Sequence, residues 1–141
     1  MRRIDLGFLL LAAACLVTGT VIGLAMGIAH EFQFAPVHAH LNLLGWTSLA
    51  LFGFAYKLYP MLAQSPLATA HFLASGVSAV LFPIGVYASI AYHNPGLAIL
   101  MAFVWLLGAV LFLANLVRVF LLAREGRGAP VRDVPTSPWP A

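Results

Sequence analysis

A chain of 141 residues that is 62% hydrophobic and 8% charged is too poor in charge for a water-soluble domain. Such domains carry about 25% charged residues, which cover an apolar interior. The formal net charge of +3 comes from arginines and one lysine near the ends of apolar runs, which suits a membrane protein rather than a nucleic-acid binder.

Residues 1–5 form a short charged segment with Arg2 and Arg3, and residues 6–29 then run apolar. About 24 apolar residues make a helix long enough for roughly 30 Å of hydrocarbon. A signal peptide is the competing reading, given the arginines and Ala12, Ala13 and Ala14. The run exceeds the usual h-region of about 7–15 residues and shows no clear cleavage site, so a retained span is expected. Cys15, the only cysteine, excludes an intrachain disulfide and reads as a small buried hydrophobe. Gly19, Gly23 and Gly27 make a stripe without side chains, against which a neighbouring span or a second copy can approach closely. A homo-oligomer through that stripe is therefore one expectation.

Residues 30–37 form a polar turn, and residues 38–60 supply a second span. Lys57 snorkels from its far end, while Tyr56 and Tyr59 suit the interface. The third span covers residues 67–91 and contains Pro83, which removes a backbone hydrogen bond and favours a kink. His93, Asn94 and Pro95 mark the next turn, and the fourth span covers residues 97–123. Residues 125–141, rich in Gly, Pro and Arg, read as a flexible tail. The expected fold is an all-α integral membrane four-helix bundle over residues 1–124.

With four spans, Arg2, Arg3, Lys57, Arg118, Arg124, Arg127 and Arg132 share one side, and the other side holds no lysine or arginine. The positive-inside rule then places both termini in the cytoplasm of a bacterial inner membrane. His30, Glu31, His38, His40 and His93 gather on the outer side. Imidazole ligates haem iron, copper or zinc at neutral pH. His38 and His40 point about 200° apart in a regular helix, so both do not easily grip one metal. Interfacial histidines satisfied by water and headgroups are the bland alternative. Asn42, one turn beyond His38, orients an imidazole, meets a haem propionate or joins spans. Gly45 admits a flat ring or a close helix. His71 falls near the inner end and reads as an interhelical histidine close to Ser75 or Tyr56. Asn115 reads as a helix–helix hydrogen bonder, and Trp46 and Trp105 as packing residues.

The stretch HAHLNLLGW (residues 38–46) leading to Pro60 resembles the second transmembrane helix of subunit I of haem-copper oxidases and nitric oxide reductases. In that family a histidine at the start of this helix ligates the low-spin haem on the outer side. The resemblance implies His40 as that ligand when read in the reductase-like register with Asn42 and Leu43. An oxidase-like register with Leu41 and Asn42 implies His38. The likeness covers about 25 residues. The family's second axial histidine, its active-site haem ligand and its copper ligands lie on later helices than this chain supplies, so oxygen or nitric oxide reduction by the chain alone is not expected.

Three functions follow. The first is a b-type haem protein for electron transfer or diatomic-gas sensing, with His40 or His38 as ligand and His30 or His93 as a candidate second ligand. The second is copper or zinc binding by the outer histidines with Glu31, in assembly of an oxidase. The third is a structural accessory subunit without cofactor. A respiratory-chain partner goes with the first two; no phosphate loop, nucleophile triad or nucleic-acid module is present.

Overall fold

The structure, a computed structural model, describes residues 3–128, and every element in it is helical. Arg2, Arg132 and the expected tail from residue 129 onward lie outside the described residues.

Helix α1 spans Ile4–Ala29. It stops where His30 turns left-handed (φ 55) and its backbone N–H donates to Met26 O. A second rod follows in three contiguous pieces: α2 (Ala35–His40), a π-helical segment (Leu41–Ser48) and α3 (Leu49–Leu58). Backbone dihedrals stay right-handed helical at both joins, so the rod bends its ladder without breaking it. The wider turn shows in the side chains too, because Ser48 Oγ donates to Leu43 O five residues back (2.8 Å). The single-turn α4 (Pro60–Ala63) makes the return.

Helix α5 (Pro66–Tyr92) begins with Ser65 as N-cap, whose hydroxyl accepts from Leu67 N (3.2 Å), and with Pro66 in the first turn, where its missing N–H costs nothing. It runs unbroken past Pro83 and ends at a second left-handed histidine, His93 (φ 53). Asn94 Oδ1 accepts from Gly96 N (3.2 Å) at the start of α6 (Gly96–Gly128). The last helix thus continues beyond residue 123, where the apolar pattern alone ends it.

Three helices, α1, α5 and α6, are long and apolar enough to cross a membrane. Four were expected. The second rod departs because its π segment divides it into pieces of 6, 8 and 10 residues. The helices turn large apolar side chains outward, including Leu10, Leu24, Ile28 and Phe103. Exposed hydrocarbon on this scale needs a bilayer to cover it, which makes this a multi-pass membrane protein in contact with lipid.

Glycines set the helix spacing. A Cβ at Gly85 would lie 2.5 Å from the backbone nitrogen of Ala98, so α5 and α6 touch main chain to main chain. Ser78 Oγ donates to Met101 O (2.7 Å) across the same contact. The α1 stripe meets the second rod: Gly19 lies under the Asn42 amide and Gly23 under the His38 ring, while no other part of the chain stands within 4 Å of Gly27's missing Cβ. The rods alternate in direction. Gly53 of α3 packs on Leu9 and Asp5 O near the start of α1, whereas His38 packs near its end. Arg3, Lys57, Arg118 and Arg124 consequently share one end, with His30, Glu31, His38 and His93 at the other.

Candidate functional site

The histidines at the end away from Arg3 share a layer but not a centre. His30 and His93 are exposed left-handed caps ending α1 and α5, and Glu31 is exposed beside His30. His38 points to α1, where its Nδ1 lies 2.7 Å from Gly19 O. His40 turns toward α5, its ring meeting Phe82 edge-on at 4.7 Å between centroids. Its Nδ1 lies 2.6 Å from Pro36 O, one turn back. Among the described residues no group of three or more His, Cys, Asp or Glu side chains could hold a metal ion.

The partner atoms settle both tautomers. A carbonyl oxygen only accepts, so His38 and His40 each donate from Nδ1–H, and in the neutral ring Nε2 keeps its lone pair. Asn42 Nδ2, 3.4 Å from His38 Nδ1, faces a donor there; its amide instead donates to His38 O (2.9 Å). Asn42 thus ties α2 to the π segment and fills the notch left by Gly19. The space before Gly45 is taken by Cys15, where an added Cβ would lie 2.6 Å from the Cys15 Cβ. Gly45 serves a close helix contact.

A second polar cluster lies toward the basic end. His71 is fully buried, with Tyr56 Oη 3.0 Å from its Nδ1. Asn115 Nδ2 donates to Leu62 O (2.9 Å) and to Tyr56 Oη (3.5 Å). Tyr56 Oη therefore accepts from Asn115 and donates to His71, which places the remaining ring proton of a neutral His71 on Nε2. That Nε2, Ser75 Oγ and Asn115 Oδ1 are buried without a hydrogen-bond partner. Phe8, Phe52 and Phe112 box the imidazole at centroid distances of 5.0, 4.6 and 5.1 Å.

His71 pairs with Tyr56 as expected, and Asn115 joins helices as expected. Tyr56 itself is 3% exposed, so it leaves the interface to which it was assigned; Tyr59 is exposed. The phenol is drawn inward because His71 and Asn115 offer it an acceptor and a donor. Sequence reasoning missed the phenylalanine box and the Leu62 carbonyl. The spacing of His71, Ser75 and Ser78 was the available signal, since positions i, i+4 and i+7 put three polar groups on one helix face.

No protein-family model, curated protein or solved structure matches this chain.

Proposed function

We propose that the protein is a four-span inner-membrane haem protein with both termini in the cytoplasm, His40 presenting the iron ligand at the outer rim. One observation carries the reading: His40 Nδ1–H is tied to Pro36 O, which orients the ring and leaves Nε2 as a free lone pair. Metal-ligating imidazoles are commonly held this way through their other nitrogen. The second rod counts as a span on this reading because its three pieces are contiguous. The clustering of Arg3, Lys57, Arg118 and Arg124 at one end supports the orientation.

The residues fit a haem better than a bare ion. Haem iron needs one or two protein ligands, and His40 supplies one, with Phe82 beside it as an apolar wall. Copper or zinc wants three or four, and no such group forms among the described residues. His38 is the alternative ligand, though its ring is already packed against Gly23. When bound, haem supplies one-electron chemistry and, with a vacant axial position, diatomic-gas binding. The chain's own part is to hold the imidazole, keep its Nδ1 proton on a carbonyl and exclude water from the ring's apolar side.

Purified protein supplied with haem b tests this. A Soret band that shifts on reduction is expected, with loss of haem in His40→Ala and retention in His38→Ala and His71→Ala. Wild-type protein that takes up no haem, or full retention in His40→Ala, rules the assignment out. Carbon monoxide added to the reduced protein distinguishes a vacant axial position from a second histidine.

A further inference from the structure

Helices α1 and α5 touch at Gly7 with Phe72 and at Leu11 with Gly76, and their seam is open beside these contacts. Three clefts lie along it. The one nearest the histidine end is about 390 Å³, lined by Thr18, Val37, Leu41, Pro83 and Tyr87 among others. The middle one is about 410 Å³, between Leu11 on α1 and Leu73, Gly76 and Val77 on α5. The third, about 280 Å³, lies at the basic end between Arg3, Gly7, Thr69 and Phe72. Leu11 and Val80 belong to both the first and the second, and Phe72 to both the second and the third. The three adjoin end to end along one seam, a furrow whose floor rises at Leu11 and Phe72.

Its walls change character along its length. The middle cleft is hydrocarbon alone, with Leu11 packed onto Gly76 at its α1 edge. The basic end opens at Arg3, whose side chain is 65% exposed and lies only 3.7 Å from Asp5. Lys57, Arg118 and Arg124 stand at the same end, so its field is positive despite Asp5 and Glu125. From Phe72 to Val80 a helix rises about 12 Å, close to the depth of one leaflet at half of roughly 30 Å. A positive mouth over a hydrocarbon channel one leaflet deep matches a lipid with an anionic head.

We infer that this furrow is a binding site for an anionic phospholipid of the leaflet at the basic end, its net-negative head facing Arg3 and one acyl chain lying along Phe72, Leu73, Val77 and Val80. A partner helix would need no charge at the mouth. A lipid without net charge would gain less from Arg3, because its own cation offsets the phosphate. The inference does not depend on haem.

Native mass spectrometry of the full chain in detergent, titrated with phosphatidylglycerol or phosphatidylcholine of matched acyl chains, tests it. One phosphatidylglycerol is expected to be retained about fivefold better, the size of one basic side chain acting on an anionic head. Arg3→Gln is expected to abolish the preference. Val77→Trp fills the furrow from an exposed position and is expected to lower retention of both lipids; Leu73→Trp does the same if the first variant fails to fold. Equal retention of the two lipids by the wild type, a preference that survives Arg3→Gln, or undiminished binding in a folded tryptophan variant overturns the inference. So does a dimer that disappears in Val77→Trp, which would make the furrow a contact between copies.

Discussion

His71 shows how a polar side chain is kept in a hydrocarbon interior. Its Nδ1 accepts from Tyr56 and its ring is walled by three phenylalanines, while Asn115 donates to the phenol from α6. Removing one member takes a partner from its neighbour, and an unmet buried polar group costs more than a matched pair contributes. Asn115→Ala, which removes the side-chain donor to Leu62 O and Tyr56 Oη, is expected to destabilise the protein by about 1 kcal/mol, the scale of interhelical hydrogen bonds in membranes. Tyr56→Phe and His71→Phe are each expected to cost a similar amount, and the double variant less than their sum. Unfolding in mixed micelles checks the cycle, and strict additivity would dissolve the proposed coupling. Sequence spacing already placed His71 by Tyr56. It did not show the box, because Phe8, Phe52 and Phe112 come from three different elements.

At the level of elements, close contact between helices is decided by what a missing Cβ faces. Gly85 faces the backbone of Ala98, which cannot move aside without separating α5 from α6. Gly27, third in the α1 stripe, faces open space. Gly85→Ala is expected to cost about 1–3 kcal/mol through overpacking. Gly27→Ala is expected to be neutral or stabilising by up to about 1 kcal/mol, since alanine favours the helix. Thermal unfolding of both variants in detergent measures the contrast; equal losses would mean that Gly27 also meets a neighbour. The stripe was visible in the sequence, but only packing assigned Gly19 to Asn42, Gly23 to His38 and Gly27 to nothing. The π segment was not legible at all. HAHLNLLGW contains no proline to mark it, and its wider turn is stabilised by contacts with α1 and by Ser48 and Asn42 bonding carbonyls within the rod.

For the molecule as a whole, two halves pack differently. α5 and α6 share one extensive contact, whereas α1 rests mainly on the second rod and leaves the furrow between itself and α5. The basic end and the histidine end are opposite ends of this assembly. A reporter fused after residue 141 is expected to be active only as a cytoplasmic enzyme, and one inserted after Gln33 only as a periplasmic one. The reverse pattern would invert the proposed orientation and move His40 to the cytoplasmic side.

Composition and apolar run length by themselves determined that the chain is helical and embedded in lipid, because desolvating backbone in hydrocarbon leaves few alternatives to a helix. Charge placement at run ends set which side chains share an end. Where each imidazole points was decided only in three dimensions. His38 and His40 are two residues apart and alike in sequence context, yet one bonds Gly19 on a neighbouring helix and the other bonds its own helix at Pro36. That difference depends on the relative rotation of the rods. Rotation is set by many small contacts between distant residues, which no local pattern in the chain encodes.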